Sequence, residues 1–379
     1  MDRRFRGREM KRSSERFLTT HTGSLPRPDD LVRTMYAREE GVPVDAAALD
    51  ARIAAAVAEV VGKQAKAGID VVNDGEMSKP SYATYIKDRL SGFGGTGNTF
   101  VYQDLADFPR LEKRVFGDPG RSRRKTPACN AAIGVRDAKA AETDVVHLRA
   151  ALAGVMAAEG FLTAASPGVV SLFFKNEHYG SEEAYLDAIA EAMRVEYETI
   201  AASGITLQVD DAWLPALWDR IGMQMGLEKF RKRCALRIEA LNHALRNVPE
   251  ENIRYHLCWG SWHGPHAYDL ELKLIVHLLL RVKARYYLIE GANARHEHEY
   301  AVWDEVKLPE GKVLVPGVVT HSTDVIEHPE LVAQRLRRYA ERVGRENVIA
   351  GCDCGFGGRS HPQIAWAKLE SLVKGAALV

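Results

Sequence analysis

The chain has 379 residues, of which 46% are hydrophobic and 27% are charged, a composition typical of a folded globular protein. Its 51 basic and 51 acidic residues leave no formal net charge, which argues against a nucleic-acid-binding protein, since those usually carry a basic excess. No run approaches 18 consecutive apolar residues, so the sequence predicts neither a transmembrane helix nor a membrane partner.

The basic N-terminal segment, residues 1–16, has no apolar run behind it, and we interpret it as a mobile arm rather than a secretion signal. Five cysteines in a chain without such a signal disfavour a disulfide framework and favour metal or catalytic roles. Cys129 and Cys234 are interpreted as structural. These features together predict a cytoplasmic protein.

From residue 17 onward, short apolar runs alternate with longer helical patterns. A strand near 17–21 is followed by a helix over 44–68, a strand and loop in "IDVVNDGE", and a short helix over 78–93. Residues at about 92–128 interrupt this alternation with Gly, Pro and charge. They predict an inserted loop excursion near a cleft, either a lid or a disordered segment.

The alternation then resumes to the end of the chain. Six more strands are predicted at 161–166, 204–211, 252–258, 285–291, 312–319 and 347–354, and helices at 182–202, 228–247, 267–282, 329–342 and 361–375. Eight βα units predict an α/β fold with a single (β/α)8 TIM barrel over 17–379. A doubly wound open sheet is the alternative, but no G-x-G-x-x-G opens a helix after a strand.

Polar residues cluster where the predicted strands end, which in a (β/α)8 barrel is the functional face. His256 and Cys258 lie two apart at one strand end, so both side chains point to the same side. Glu290 ends the next strand, and Cys352-x-Cys354 ends the last. A lone H-x-C pair is equally compatible with two buried residues. Four such donors on one face favour Zn2+, whereas "HEH" at 296–298 is interpreted as solvated or supporting.

The strings "TTHTGSLPRP", "NDGE", "LQVDD", "HLC", "IEGAN" and "DCGFGGR" resemble the catalytic barrel of cobalamin-independent methionine synthase and its short single-domain relatives. Those relatives include epoxyalkane:coenzyme M transferase-like proteins. The resemblance runs from about residue 17 to the end of the chain. It implies a TIM barrel, a catalytic zinc, and transfer of a methyl group to a thiol.

Carried over to this chain, the resemblance implies the zinc ligands His256, Cys258, Glu290 and Cys354, with Cys352 as a neighbouring thiol. Glu290 is then the ligand expected to yield to an incoming thiol.

The remaining carried-over positions concern the substrates. Glu76 and Asp210 match positions that hold the amino group of homocysteine, and Gly23 and Ser24 match the loop that holds its carboxylate. His321 matches a histidine near the departing donor, and Asp210 is the alternative acid.

We therefore expect a zinc-dependent thiol alkyltransferase that methylates homocysteine to methionine, like 5-methyltetrahydropteroyltriglutamate–homocysteine S-methyltransferase. Full-length synthases carry a second barrel, so the donor, a folate or another methyl carrier such as methylcobalamin, stays open. Glu76 and Asp210 favour an amino-acid thiol, because the sulfonate of coenzyme M would need Arg or Lys.

Three alternatives stay open. They are a coenzyme M-type addition to an epoxide, a metal-free porphyrinogen decarboxylase-like barrel, and a non-catalytic protein with a structural zinc. The oligomeric state is open as well, a homo-oligomer included.

Overall fold

The computed structural model describes residues 12–97, 103–116, 126–212, 214–260 and 263–379. The strands in these residues are β1 Val71–Asn73, β2 Leu90–Gly94, β3 Ala128–Val135, β4 Glu159–Ala165, β5 Thr206–Asp210, β6 Ile253–His256, β7 Tyr286–Ile289, β8 Val313–Val319 and β9 Gly351–Cys352. One seven-stranded sheet has the order β1-β4-β5-β6-β7-β8-β9, and β2 pairs with β3 alone. All pairs in the large sheet are parallel.

Helices of very different length connect these strands. The α-helices are α1 Asp29–Glu39, α2 Ala46–Ala67, α3 Ile86–Arg89, α4 Pro109–Phe116, α5 Lys139–Leu152, α6 Pro167–Phe173, α7 Glu182–Ala202, α8 Met223–Met225, α9 Leu227–Ala244, α10 Val276–Leu279, α11 Val302–Glu305, α12 Pro329–Val343 and α13 Pro362–Ala376. Shorter 3-10 turns lie at Gln103–Asp107, Glu250–Asn252, Leu272–Leu274, Glu297–Ala301 and Arg345–Asn347, and a π turn at Trp218–Gly222. Among the described helices, none is long and apolar enough to cross a membrane.

The segment around Thr19 closes the sheet into a barrel. Thr19 forms a parallel bridge with Ala350, next to β9. On its other side the carbonyl of Thr19 accepts the N–H groups of Asp70 and Val71, at 3.1 and 3.0 Å, where β1 begins. The first predicted strand is thus reduced to a bridge but pairs with both neighbours. The structure confirms the (β/α)8 TIM barrel, and the open-sheet alternative is wrong.

The inside of the barrel is apolar on one side and polar on the other. Six side chains form an apolar cluster separate from the main core, namely Leu18, Tyr286, Leu288, Val313, Val315 and Ile349. Arg254 of β6 lies two residues before His256 and shares its face. It is buried and stacks on Phe161 of β4, with 3.9 Å from guanidinium carbon to ring centroid. Polar groups therefore run up one half of the barrel toward the carboxyl ends of the strands.

Two predicted helices are wrong. Over 267–282 only a 3-10 turn and the short α10 form, because side chains from elsewhere capture the backbone. Glu299 Oε1 accepts the N–H of Leu272 at 2.5 Å, and Trp259 Nε1 donates to the carbonyl of Leu270 at 2.7 Å. Over 78–93 only α3 is helical, since Pro80 lacks an N–H and the chain continues into β2.

The inserted excursion is partly structured. Its base is the β2–β3 hairpin, with Leu90 opposite Val135 and Gly94 opposite Ala128. Beyond it, the N–H groups of Gln103 and Asp104 donate to the Asp219 carboxylate at 3.1 and 3.0 Å. The excursion therefore contacts the loop after β5 at the mouth of the barrel, and its residues 98–102 and 117–125 lie outside the described chain.

The predicted mobile arm falls mostly outside the described residues, which begin at residue 12. Within it, Ser13 Oγ donates to the carbonyl of Val348 at 2.5 Å, and Arg16 pairs with Asp70 at 2.8 and 2.6 Å. Residues 12–16 thus lie against the barrel, and mobility stays a prediction for the residues before them.

We expect Gly68→Ala to lower the free energy of unfolding by about 1–2 kcal/mol, because Gly68 ends α2 in the left-handed region, with φ 88°. An added Cβ would also lie 2.9 Å from Val373 Cγ1 of α13. Gly62→Ala is the matched control, since Gly62 is inside α2 with open space around it, and should stabilise by about 0.5–1 kcal/mol. Urea denaturation measures both, and equal effects would contradict the assignment of this helix end.

Candidate functional site

Three donor side chains converge at the carboxyl end of the barrel. The ligand atoms of His256, Cys258 and Cys354 all lie within 4.8 Å of one another, and all three residues are buried. The two sulfur atoms are 3.5 Å apart. His256 is the last residue of β6, and Cys354 follows β9 by two residues. The structure thus brings together three of the four predicted metal ligands, and Cys354 rather than Cys352 belongs to the group.

Asp210 sets the orientation of the His256 ring. The two residues are direct neighbours in the register of β5 and β6. His256 Nδ1 lies 3.0 Å from Asp210 Oδ1, and since a carboxylate only accepts, Nδ1 carries the proton. The other ring nitrogen, Nε2, is buried and has no hydrogen-bond partner among the described residues. A carboxylate on one nitrogen and a bare second nitrogen are typical of a metal-binding histidine.

The pKa values of the three donor side chains are shifted strongly by burial and by one another. The hydrogen bond from Cys258, together with His256, holds the pKa of Cys354 well below its usual value. Burial raises the pKa of Cys258 well above its usual value. Although burial opposes protonation of His256, the hydrogen bond with Asp210 and the nearby Cys354 sulfur raise its pKa to about 10. Metal ions bind the deprotonated forms of imidazole and thiol groups, so a bound cation would displace the protons that these side chains carry on the side facing it.

Glu290 lies beside this group without joining it. Its Oε1 accepts the N–H of Trp259 at 2.8 Å and its Oε2 accepts Asn293 Nδ2 at 3.1 Å. Burial raises the pKa of Glu290 to about 8, and the charge of Asp353 adds to this. Each oxygen keeps a lone pair, so Glu290 as the fourth metal ligand stays a prediction.

Cys352 faces a different partner. Its Sγ lies 3.2 Å from both the N–H and the Oγ1 of Thr22, and 3.2 Å from the carbonyl of Cys354. Burial raises the pKa of the Cys352 thiol to about 12. A neutral thiol held by Thr22 ties β9 to the first strand segment and is not placed to bind the metal with the other three.

A cleft opens beside the donors and contains most of the predicted substrate residues. Its lining includes Ser24, Arg27, Glu76, Tyr82, Asp210, His256, Cys354 and Arg359. Two of these, Arg27 and Arg359, were missed by the sequence analysis. Their nearness in sequence to predicted site residues could have indicated them, since Arg27 lies three residues after Ser24 and Arg359 lies five after Cys354.

Glu76 is held in a strained backbone conformation. Its φ of 58° lies in the left-handed region, which costs a non-glycine residue about 1–3 kcal/mol. Its N–H donates to Asp74 Oδ1 at 3.0 Å, and its Oε1 accepts Thr163 Oγ1 at 3.0 Å. Burial and the nearby charge of Asp210 raise the pKa of Glu76. This carboxylate is therefore built into the cleft wall at a cost to stability, as functional groups often are.

The loop at Gly23 and Ser24 is fixed by a buried histidine. His21 Nε2 lies 2.7 Å from Gln64 Oε1, which makes Nε2 the protonated nitrogen, and Nδ1 then accepts the N–H of Gly23 at 3.1 Å. Burial lowers the pKa of His21 to about 4, so the ring is neutral as this pattern requires. Gly23 has φ 129°, and a Cβ there would lie 2.7 Å from Thr163 Cγ2. Only glycine fits this approach.

His321 is buried two residues after β8, next to the donor group rather than in the lining of the cleft. Burial lowers its pKa to about 4, although the charge of Cys354 acts in the opposite direction. The imidazole is neutral at pH 7, and its Nδ1 has no hydrogen-bond partner among the described residues. Its role as a proton donor stays a prediction.

The residues present fit a zinc ion. An imidazole nitrogen that has no partner in the described part of the chain and two clustered sulfurs form the N and S donor set that zinc prefers over calcium or magnesium. Spreading the donors over β6 and β9 also differs from a structural zinc knuckle, whose ligands lie close together on loops.

Three comparisons with known proteins extend this picture. The family described as "Cobalamin-independent synthase, Catalytic domain" matches residues 17–378. A methionine synthase of Thermococcus kodakarensis is 24% identical over 367 residues, covering 95% of this chain and 93% of the relative. A 2-hydroxypropyl-CoM lyase of Xanthobacter autotrophicus is 25% identical over 395 residues, covering 95% and 94%.

A solved structure has the same fold. The B12-independent methionine synthase of Shewanella sp. W3-18-1, in complex with selenomethionine, superposes with a TM-score of 0.72 at 20% identity, covering 96% of this chain and 97% of that one.

We expect Cys354→Ser to abolish zinc retention and Cys352→Ser to keep it, because only Cys354 lies within the donor group. Metal analysis of the two purified variants measures this directly. Loss of zinc from Cys352→Ser with retention in Cys354→Ser would show that the wrong cysteine was assigned.

We expect Asp210→Asn to weaken zinc binding about 10- to 100-fold, because it removes the charge that orients His256. Asp211→Asn is the control, since Asp211 accepts hydrogen bonds from Ser166 and Tyr255, at 3.0 Å each, and not from His256. Competition with a chelator measures both affinities, and equal losses would assign the effect to general destabilisation.

Proposed function

The chain belongs to the family of cobalamin-independent synthase catalytic domains, and from that premise we propose that it is a zinc-dependent thiol alkyltransferase. We propose that it transfers a methyl group to the thiol of homocysteine, giving methionine. The observation that carries this proposal is one cleft lined both by donors for a thiol-activating metal, His256 and Cys354, and by two carboxylates, Glu76 and Asp210.

Activation of the thiol is assigned to the donor group. A free alkyl thiol has a pKa near 8.5, and zinc held by His256, Cys258 and Cys354 would supply the charge that turns it into a thiolate at neutral pH. Asp210 keeps His256 in the tautomer that presents Nε2. Glu290 is the proposed fourth ligand.

The polar groups of the cleft suit the rest of an amino-acid thiol. Glu76 and Asp210 are proposed to receive its ammonium group, because both line the cleft beside the donors. Ser24 and the backbone at Gly23 are proposed to receive its carboxylate. Two charged ends fixed in this way hold the sulfur at one distance from His256 and Cys354.

The alkyl donor needs space next to the thiol. The cleft shares Arg27, Pro80 and Gly357 with a second cavity, which α1 lines through Val32, Met35 and Tyr36. This space supports binding of a second small molecule, a folate or another methyl carrier. His321 or Asp210 is proposed to supply the proton that a poor leaving group requires.

A second candidate is the addition of a sulfonate thiol, of the coenzyme M type, to an epoxide. The relative from Xanthobacter autotrophicus supports it, and so do Arg27 and Arg359 in the cleft, which answer the demand of a sulfonate for cations. Against it, Glu76 and Asp210 would face an anion with no ammonium to balance them. Family membership leaves no support for the porphyrinogen decarboxylase-like alternative.

We expect zinc-loaded protein to bind homocysteine through its sulfur, measured as a new zinc–sulfur contribution in X-ray absorption. Glu76→Gln should weaken this binding about 10-fold or more, since a hydrogen bond to a charged group contributes about 1.5–3 kcal/mol. The same variant should bind 4-mercaptobutyrate, which lacks the amine, about as well as the unchanged protein does.

Two outcomes would decide against the proposal. Binding of coenzyme M without binding of homocysteine would favour the second candidate. Purified protein that neither holds nor takes up zinc would end both.

A further inference from the structure

The cleft contains a cation to which the proposed homocysteine site assigns no role. Arg27 lines it, half-buried, directly beside the carboxylate proposed for the ammonium group. Its Nε donates to the backbone carbonyl of Glu76 at 3.0 Å, and its Nη2 lies 3.5 Å from Glu76 Oε2. A positive and a negative group thus lie in contact at one end of the cleft.

Arg27 is also held at a fixed distance from the donor group. The carbonyl of Ser24 accepts the N–H groups of Phe356 and Gly357 at 2.9 and 3.2 Å. Two glycines of this loop have no room for a side chain: a Cβ on Gly355 would lie 2.7 Å from Ser24 Cβ, and one on Gly357 would overlap Ser24 Oγ and approach Arg27 Nη1 to 3.2 Å. The segment that carries Arg27 and the segment that follows Cys354 are therefore locked together.

The charge balance of the cleft is even. Glu76 and Asp210 contribute two negative charges, and Arg27 and Arg359 contribute two positive charges. A zwitterionic ligand preserves this balance, whereas a purely anionic thiol would bring one negative charge that no cation of these four compensates.

Resting on the proposed thiol transfer, we propose that Arg27 is the residue that selects an α-amino acid as the acceptor, by binding its carboxylate next to the ammonium on Glu76. An α-amino acid has its ammonium and carboxylate groups on one carbon. The two residues that bind these groups must therefore lie side by side, as Arg27 and Glu76 do. Guanidinium groups bind carboxylates in a planar, two-pronged way that a lysine cannot reproduce. Ser24 completes this end of the cleft.

The test uses three thiols that differ in one group each: homocysteine, 4-mercaptobutyrate without the amine, and 3-aminopropane-1-thiol without the carboxylate. Zinc-loaded full-length protein is titrated with each, and zinc–sulfur coordination gives the dissociation constants. Arg27→Gln should weaken homocysteine and 4-mercaptobutyrate about tenfold or more, while 3-aminopropane-1-thiol binds as well or more tightly. The reason for the last result is that Glu76 loses a competing cation.

Arg52→Gln is the matched control, since Arg52 pairs with Asp30 on the exposed surface and should change none of the three. Arg27→Lys keeps the charge and should recover part of the affinity for homocysteine and 4-mercaptobutyrate, the two thiols that carry a carboxylate. This variant also provides a test if Arg27→Gln does not fold.

Two results would overturn the assignment of Arg27. One is an equal loss for all three thiols, which means that Arg27 only supports Glu76; the other is unchanged binding of homocysteine. If none of the three thiols coordinates in the unchanged protein, the proposed function itself fails and this inference falls with it.

Discussion

The hydrogen bond between Asp210 and His256 is the interaction on which the site depends. It exists because β5 and β6 are paired in a register that places these two residues opposite each other. Asp210 is in turn fixed by Gln208, whose Nε2 donates to Oδ1 at 2.8 Å, and Gln208 Oε1 accepts Arg254 Nε at 3.0 Å. Arg254 also donates to the carbonyl of His21 at 3.0 Å. A buried polar chain therefore connects the barrel interior, the first strand segment and the metal donors.

Much of the fold and of the metal-donor group was predictable from the sequence, because strands and strand ends are local features. Each of the eight strand regions corresponds to an apolar run, and His256-x-Cys258 follows from the side-chain alternation of a strand. One of the two failed helices was decided by distant partners. The helical pattern at 267–282 is a real periodicity, but Glu299 and Trp259 take the backbone groups that a helix would need.

The charged residues of the cleft also show that contacts between distant segments could not be predicted from local sequence patterns. Glu76 and Asp210 were predicted from the resemblance to the synthase family, and their sign favoured an amino-acid thiol. Arg27 and Arg359 lie in loops a few residues further on, and only folding brings them to the same cleft. Their presence weakens the argument that two carboxylates alone favour an amino-acid thiol over a sulfonate thiol. The contact between Arg27 and Glu76 restores that argument on geometry instead.

The backbone hydrogen bonds from Phe356 and Gly357 to Ser24 limit how such an enzyme can diversify. One loop follows the metal donor Cys354, and the other carries Ser24 and Arg27, which are proposed to bind the carboxylate of the acceptor. Because the two loops are bonded together, neither can be lengthened or shifted without disturbing the metal donors. New acceptors of a different length would have to be accommodated by side-chain exchange elsewhere in the cleft lining, such as at Tyr82. A directed-evolution library aimed at acceptor scope is therefore better placed at residues 80–82 than in either locked loop.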